Sequence, residues 1–379
     1  MRSAKLSFLI CLFSGITLFI IGSVLMVNIR TSPPHQQKHD AVLPSGESKK
    51  TIDLTETYQN SGNPINFLVL IKEASGLHTD TIIIGNYEPV TNQISLLTVP
   101  RDTKPTGKST LKINNVFSTG MSKYADLPKT QQKNKAVEYT TQFISNLTNI
   151  PIDYYVYLEI DTIKDIVDML DGVYFDVPAD LRYPDPSQDL NINLKKGYQL
   201  LDGDKAEQLL RFRKPPYSLK KASDDLRKYY DGSDLKRTEM QIRFINELIK
   251  QKVTLLNLPK LVPVINYAFS NVVTNISLSD TLNLASGLTK ANKQEMNTFK
   301  LCGLDRYING TYYYIYTQKV ENVKTNEQYD IQEINDKYFK TKTNNFLPDP
   351  DKKYDYHSVL PKNPSNSETE TRSNGKDKP

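Results

Sequence analysis

The longest uninterrupted run of apolar residues lies near the start of the chain. Residues 6–27 contain no charged side chain, and about 20 such residues are what a helix needs to cross a bilayer core of about 30 Å. The run is too long for the apolar part of a cleaved signal peptide, and no Ala-x-Ala site follows it. We therefore predict a transmembrane signal anchor over residues 6–28.

Basic residues on one side of this run predict its orientation. Arg2 and Lys5 precede it, and no acidic residue lies among the first thirty, so the positive-inside rule places residues 1–5 in the cytoplasm and the remainder outside the cell.

Polar segments predict the limits of the extracytoplasmic domain. Residues 29–61 are polar, with scattered Pro and Ser and no apolar periodicity, which is typical of a linker. The chain becomes polar again towards its C-terminus. We predict a folded domain over residues 62–318 and a polar, mostly disordered tail over residues 319–379.

Within the predicted domain, short apolar runs alternate with stretches of helical periodicity. The predicted strands are 67–71, 80–87, 93–99, 154–160 and 173–177, with a closing hairpin or edge strand over 306–318. The predicted helices have apolar positions at helical spacing over 136–147, over 163–170 and from about Asp234 onwards. Asp161 is placed to cap the second helix. This alternation predicts an α/β fold with a mixed central β-sheet flanked by helices.

Composition and charge exclude several classes of protein. The 379 residues include 48 Lys and Arg against 43 Asp and Glu, a net charge of +5, and three of the basic residues lie in the first thirty positions. This excess is too small to indicate nucleic-acid binding. Two cysteines cannot form a disulfide framework or a four-cysteine zinc site. So few cysteines in an extracellular domain favour a bacterial cell surface, and we predict a single-pass protein of the bacterial cell membrane.

Histidine chemistry is also poorly supported. Of four histidines, only His78 lies in the predicted domain, which argues against histidine metal clusters and Ser-His-Asp hydrolysis. The segment TGKST resembles the end of a phosphate-binding P-loop, but Asp102 stands where the earlier glycine is required.

The remaining candidate chemistry is a set of arginines next to predicted element ends. Arg101 follows a predicted strand, Arg211 and Arg213 lie two apart before a Pro-Pro break, and Arg237 and Gln241 lie four apart on one helix face. An extended backbone would put the Arg211 and Arg213 side chains on one face. Guanidinium groups that converge on one spot require an anion, because they otherwise repel one another. The alternative is that they are ordinary surface arginines and structural ion pairs.

Five segments occur in the order and character of one bacterial family. They are DTIIIGNYEPVTNQISLLTVPRDT, LKINNVF, IPIDYYVYLEIDTIKDIVDMLDGVYFDVP, LNINLKKGYQLLDGDKAEQLLRFRK and DLKRTEMQ, within about residues 65–310. In these segments the chain resembles the LytR-CpsA-Psr family. The resemblance implies a phosphotransferase that moves an anionic glycopolymer, wall teichoic acid or capsule, from a polyprenyl-pyrophosphate carrier to peptidoglycan. It also implies an apolar cleft for the isoprenoid chain, with arginines and Mg²⁺ or Mn²⁺ at the pyrophosphate.

The resemblance assigns roles position by position. Asp80 matches the family's metal-associated aspartate, and Glu73 is expected to assist it. The matched pyrophosphate-binding set is Arg101, Lys112, Arg211, Arg213, Arg237 and Gln241. The expected catalytic residues are Asp80, Arg101, Arg211 and Arg213. Asp80 is also the best candidate to accept the proton of the attacking hydroxyl group.

Some positions depart from the family pattern. Glu73 ends the first strand where the family commonly has Gly-x-Asp, and His78 and Met240 each stand where arginine is common. An extra segment, PPYSLKKASDDLRKYYDG, separates Arg213 from the long helix. These departures keep a second interpretation open, a non-catalytic surface regulator or lipid- or polymer-binding protein of the same fold. A type II membrane glycosyltransferase is a further alternative, because its membrane topology would be the same.

Overall fold

The strands and helices are taken from a computed structural model, which describes residues 63–72, 76–104, 111–186, 190–293, 296–308, 310–342 and 345–350. The strands are β1 (Ile65–Lys72), β2 (Thr79–Glu88), β3 (Gln93–Thr98), β4 (Thr103–Lys104), β5 (Tyr154–Glu159), β6 (Val173–Val177), β7 (Leu181–Asp185), β8 (Leu190–Leu194), β9 (Gly197–Leu201), β10 (Val273–Thr274), β11 (Asn297–Ile308), β12 (Thr311–Asn322) and β13 (Gln328–Asp330). The helices are α1 (Val116–Lys123), α2 (Lys129–Thr148), α3 (Ile160–Met169), α4 (Gly203–Arg211), α5 (Asp224–Tyr229), α6 (Asp234–Lys252), α7 (Leu258–Asn271), α8 (Leu278–Thr289) and α9 (Ile331–Tyr338).

A mixed sheet of nine strands runs through the described residues. Its order is β10–β5–β1–β2–β3–β11–β12–β13, with β4 paired to β12. β1 is antiparallel to β2 and parallel to β5, while β3 is antiparallel to β2 and parallel to β11. β6 pairs with β9, and β7 with β8, in two smaller antiparallel sheets.

Side chains of the central strands alternate between two helical layers. Leu68 and Leu70 of β1 are fully buried in a cluster with residues of α1, α2 and α9, whereas Val69 packs in a second cluster against α6 and α8. Because successive strand residues point to opposite faces, the unbroken apolar run FLVLI suits a strand that is covered on both sides. The predicted α/β fold with a mixed, helix-flanked sheet is confirmed.

The fold continues beyond the predicted boundary at residue 318, which lies inside β12. Ile331, Ile334 and Phe339, in and just after α9, are buried in the main core. The Asn66 side-chain amide donates a hydrogen bond to the Phe339 carbonyl oxygen at 2.7 Å. The assignment of residues 319–350 to a disordered tail is therefore wrong, because a few apolar residues at helical spacing are enough to dock this polar segment. Residues 351–379 lie outside the described part of the chain.

The second predicted helix begins two residues earlier than expected, so the prediction that Asp161 caps it is wrong. Glu159 occupies the N-cap position of α3, and Asp161 lies in its first turn, where a negative charge is favoured by the helix dipole.

The predicted membrane segment cannot be compared with the fold. Residues 1–5, the anchor at 6–28 and the linker at 29–61 lie outside the described residues. Among the helices that the structure describes, none combines the length and apolar character that crossing a bilayer requires.

Candidate functional site

Four arginines from three parts of the chain line one pocket. Arg101 lies in the turn after β3, Arg211 is the last residue of α4, Arg213 follows two positions later, and Arg237 lies in the first turn of α6. The other lining residues are Tyr183, Asp185, Leu190 and Lys214. This cationic pocket has a volume of about 230 Å³. The structure thus brings together the arginines that the sequence distributes over separate elements.

The order Arg-Phe-Arg explains why Arg211 and Arg213 face the same pocket. Phe212 caps α4 in an extended conformation, with φ −64° and ψ 128°. Its fully buried ring packs edge-on against Tyr230, and the residues on either side of it both line the pocket. The prediction that the pair is extended is wrong for Arg211, which is helical, whereas the shared face is observed.

Ion pairs orient two of the arginines. Arg101 Nη1 donates a hydrogen bond to Asp80 Oδ1 at 2.8 Å, and the Asp80 side chain is only 7% exposed. Arg211 Nη1 donates to Glu207 Oε1, one helical turn earlier, at 2.9 Å. Arginine has five N–H donors in a planar fork, so a guanidinium group oriented by one carboxylate can still present donors to a second anion.

The charge in the cationic pocket is unbalanced. Among its described lining residues, four arginines and Lys214 outnumber the one lining carboxylate, Asp185, even when the two carboxylates paired with Arg101 and Arg211 are added. Arg237 is only 4% exposed, and repulsion between like charges is stronger where water is excluded. An oxyanion bound between the guanidinium groups would relieve this repulsion through paired, charge-assisted hydrogen bonds. The pocket therefore suits a phosphate-type anion.

A second cavity, of about 260 Å³, lies between the central sheet and α6. Phe67 and Val69 of β1 form part of its wall, which explains why they are only half-buried in a central strand. The other apolar lining residues are Ile71, Ile83, Ile94, Leu96, Leu158, Ile160, Ile163, Ile166, Leu210, Phe244, Ile245, Leu248, Ile249, Val253 and Leu288. Almost nothing in this apolar cavity can hydrogen-bond, so it suits a hydrocarbon chain.

The apolar cavity and the cationic pocket meet at Arg211, which lines both. Gln241 is fixed near this junction: Thr81 Oγ1 donates to its Oε1 at 3.0 Å, and its Nε2 donates to the Leu210 carbonyl oxygen at 3.1 Å. All of these residues lie on the wall of the apolar cavity. An apolar space that ends at clustered arginines can bind an amphiphile with a long hydrocarbon chain and an anionic head.

Lys112, Met240 and His78 are not among the described residues that line this pocket. Lys112 Nζ pairs with Asp102 Oδ1 at 2.6 Å, and Lys112 is not among the described residues that line the cationic pocket. Met240 is buried in the core and packs there instead of facing an anion. His78 is exposed, and Glu73 lies outside the described residues.

The described residues fit a divalent cation that is held jointly by carboxylates and by the phosphate groups of a ligand. Among the described residues, no three His, Cys, Asp or Glu side chains are grouped so that they could hold a metal by themselves. Mg²⁺ in phosphoryl-transfer sites is commonly held by one or two carboxylates together with substrate phosphates. Asp80, next to Arg101, and Asp185, on the pocket wall, are oxygen donors of that kind.

The sequence does not single out three residues that belong to the site. Lys214 directly follows Arg213, and Glu207 precedes Arg211 by four positions on a helix, the spacing of an ion pair. Both could have been found from these local signals. Asp185 ends β7 and reaches the pocket through the pairing of β7 with β8, for which the sequence gives no local signal.

Comparisons with known proteins identify relatives of this chain. The LytR_cpsA_psr family profile matches residues 32–329. The polyisoprenyl-teichoic acid–peptidoglycan teichoic acid transferase TagV of Bacillus subtilis is 28% identical over 245 residues, which cover 62% of this chain and 55% of TagV. TagU of the same organism, named for the same activity, is 24% identical over 282 residues, 73% of this chain and 79% of TagU. The crystal structure of B. subtilis TagV matches with a TM-score of 0.53 at 26% identity, over 73% of this chain and 96% of that one. The match thus spans little more than half of the curated TagV sequence.

Proposed function

The chain belongs to the LytR-CpsA-Psr family, and we propose that it transfers an anionic glycopolymer, of the wall teichoic acid or capsule type, from a polyprenyl-pyrophosphate carrier to a hydroxyl group of peptidoglycan. The observation that carries this proposal is the apolar cavity ending at the cationic pocket, with Arg211 on both walls. The two cavities correspond to the two halves of such a donor. The named activities of TagV and TagU support the same class of reaction.

The donor would lie with its isoprenoid chain in the apolar cavity and its pyrophosphate among the arginines. Each buried CH₂ group contributes about 0.8 kcal/mol, so a few isoprene units supply much of the binding free energy. The predicted anchor over residues 6–28 would hold this site at the outer face of the bacterial membrane, where a lipid-linked donor is available.

The reaction exchanges one phosphorus–oxygen bond for another. The acceptor hydroxyl oxygen bonds to the phosphorus that bears the polymer, and the bond from that phosphorus to the bridging oxygen breaks. Polyprenyl phosphate leaves, and the hydroxyl proton passes to water or to a phosphate oxygen. Because this leaving group is a stable anion, it requires no general acid. The four pocket arginines would stabilise the charge on the phosphoryl oxygens and on the leaving group, the main source of catalysis in such transfers.

Asp80 has a positioning role in this proposal. Its carboxylate orients Arg101 and, together with the pyrophosphate oxygens and Asp185, could hold Mg²⁺ or Mn²⁺. When bound, the metal would neutralise charge on the pyrophosphate. Asp80 is poorly suited to accept the hydroxyl proton, because its Oδ1 already accepts a hydrogen bond from Arg101.

Reconstitution of the purified protein tests the proposal. The full-length chain is incubated with polyprenyl-pyrophosphate-linked glycopolymer, Mg²⁺ and peptidoglycan, and we expect one polyprenyl phosphate released for each polymer attached. Binding of the donor without release would instead support the non-catalytic regulator. A requirement for a nucleotide sugar would support the glycosyltransferase, and either result would contradict the proposed reaction.

A further inference from the structure

A third cavity, of about 630 Å³, adjoins the cationic pocket. Arg213 and Lys214 line both spaces. Pro100 and Asp102, the chain neighbours of Arg101, line the third cavity, whereas Arg101 itself lines the cationic pocket. The third cavity and the apolar cavity share none of their described lining residues. The cationic pocket therefore connects a hydrocarbon compartment with a separate space, which we call the polar cavity.

Aromatic rings form part of the wall of the polar cavity. Tyr312, Tyr313 and Tyr314 follow one another at the start of β12, and Tyr217 comes from the segment before α6. Tyr312 is 51% exposed and Tyr217 is 48% exposed, so both rings are accessible to a ligand. An aromatic ring offers an apolar face together with a polar tip, a combination that suits the C–H face and the hydroxyl groups of a sugar.

Three carboxylates line the same cavity: Asp102, Asp231 and Asp305. Loss of hydration raises the pKa of Asp305, and repulsion from Asp231 and Asp102 adds to the effect. Ionised carboxylates only accept hydrogen bonds, so this wall suits a ligand rich in hydroxyl donors. Arg213 and Lys214 on the wall, and Lys112 paired with Asp102, balance these three carboxylates, so the polar cavity suits an uncharged ligand, unlike the arginine-lined pocket.

The extra segment between Arg213 and α6 forms one side of the polar cavity. Tyr217, Ser218 and Leu219 come from its first half, and Asp231 and Gly232 from its end. The segment is anchored: Ala222, Leu226 and Tyr230 are buried in the core, and Ser223 caps α5 by accepting from the Leu226 N–H. The insertion thus provides an ordered wall next to the arginines.

We propose that the polar cavity is the acceptor subsite, which binds the uncharged glycan of peptidoglycan and presents its hydroxyl group to the phosphorus. This inference rests on the proposed function. In phosphoryl transfer the attacking and leaving oxygens lie roughly in line through the phosphorus. With the leaving group held in the apolar cavity, the acceptor must arrive from elsewhere, and the polar cavity meets the cationic pocket without sharing a lining residue with the apolar cavity.

Kinetics of Tyr312→Ala and Asp305→Asn test this assignment. We expect the KM for the glycan acceptor to rise about tenfold in each variant, since a ring contact or a charged hydrogen bond is worth about that factor in affinity. The affinity for geranyl pyrophosphate, a soluble donor analogue, should change less than twofold. Tyr198→Ala is the matched control, because this exposed tyrosine stacks on Tyr174 and is absent from the described lining of the polar cavity.

A direct binding measurement tests the acceptor subsite without depending on catalysis. Chitotetraose, a soluble and uncharged tetrasaccharide of GlcNAc, should bind the wild-type protein in calorimetry and bind at least tenfold more weakly to Tyr312→Ala. Loss of geranyl pyrophosphate affinity in that variant would assign the cavity to the donor and overturn the inference, as would unchanged acceptor KM and tetrasaccharide binding in both variants. Tetrasaccharide binding as expected, with no transfer by the wild-type protein, would support the subsite and refute the proposed reaction.

Discussion

Arg101 and Arg213 reach the cationic pocket through different anchors. Arg101 depends on the buried carboxylate of Asp80, at 2.8 Å. Arg213 Nε donates to the carbonyl oxygen of Gly232 at 2.8 Å, and Gly232 has φ +85°, a conformation that glycine adopts without strain. Two separate supports for neighbouring guanidinium groups indicate a pocket whose donors are positioned before the anion binds.

Removing either arginine should slow transfer strongly. Arg101→Ala and Arg213→Ala should each lower the initial rate of polymer transfer by about 10²–10³, because each removes a preorganised donor from the transferring phosphoryl group. Arg182→Ala is the matched control, since Arg182 is an exposed residue of β7 next to the pocket residue Tyr183. Transfer at the parental rate by either pocket variant would contradict the assignment.

At the scale of elements, the apolar cavity depends on close contact between β1 and β2. Phe67 lies directly opposite Gly85, and a Cβ atom at position 85 would lie 2.2 Å from the Phe67 ring. The ring can therefore rest on the neighbouring strand only because residue 85 has no side chain. This arrangement leaves space in the cavity for a ligand.

Gly85→Ala should narrow this cavity. The new methyl group would push the Phe67 ring towards the empty space, so we expect geranyl pyrophosphate affinity to fall at least tenfold and stability to fall by about 1–3 kcal/mol. Calorimetry and thermal unfolding measure the two effects. Adding Phe67→Leu removes the colliding ring and should restore most of the affinity, and unchanged affinity in the single variant would contradict this account of the cavity.

An ion-pair network links α6 to the sheet. Glu239 of α6 accepts from Lys300 of β11 at 2.8 Å, and Lys300 also pairs with Glu321 of β12 at 2.9 Å. Burial alone would raise the pKa of Glu239, but the hydrogen bonds from Lys300 and Lys236 outweigh it and lower the pKa. A carboxylate with a lowered folded-state pKa stabilises the fold above its unfolded pKa, and this stability is lost as the pH falls through the folded pKa.

The stability difference between the wild-type protein and Glu239→Gln should therefore depend on pH. At pH 7 the variant should be less stable by about 1 kcal/mol, and the difference should shrink below pH 4.5, the ordinary pKa of the group. Urea unfolding between pH 3 and pH 7 measures this. Glu247→Gln, which affects a more exposed pair with Lys250 on the same helix, should change stability by less than about 0.5 kcal/mol. A pH-independent difference for Glu239→Gln would be evidence against the network.

At the scale of the whole molecule, local patterns predict the elements but not the spaces between them. The apolar runs of β1, β2 and β3 are visible in the sequence because both faces of these strands are covered. The pairing of β3 with β11 joins residues about 200 positions apart, and no local pattern encodes it. The cavities cannot be predicted from the sequence either, because Val69 or Ile249 on a cavity wall has the same chemistry as a residue in a filled core. The arginines could be predicted as a set, whereas their shared pocket depends on this long-range packing.

The C-terminal segment completes the domain. Asp153 Oδ2 accepts from the Asn66 backbone N–H and from Thr341 Oγ1, both at 2.7 Å, and Ile152 forms a β-bridge with Phe346. These contacts tie the region after α9 to the starts of β1 and β5. The polar composition of this C-terminal segment does not predict that it packs on the domain, because the packing depends on few apolar residues.

Truncation should show where the domain ends. A chain ending at residue 318 loses part of β12 together with β13 and α9, including the buried Val320, Ile331, Ile334 and Phe339. At about 1.5–3 kcal/mol for each buried side chain, this loss is comparable to the whole stability of a typical domain, so cooperative thermal unfolding should disappear. A chain ending at residue 350 keeps every described contact and should unfold cooperatively. If the shorter chain unfolds as cooperatively as the full-length chain, the segment after residue 318 is dispensable for folding.

Under the proposed function, the apolar cavity and the cationic pocket form a single site for a polyprenyl pyrophosphate. A crystal structure with geranyl pyrophosphate and Mg²⁺ tests it most directly. We predict hydrocarbon density between β1 and α6, next to Phe67 and Ile245, and pyrophosphate density in contact with Arg101, Arg211 and Arg213. Pyrophosphate bound away from these arginines, or a prenyl chain outside the apolar cavity, would contradict the account.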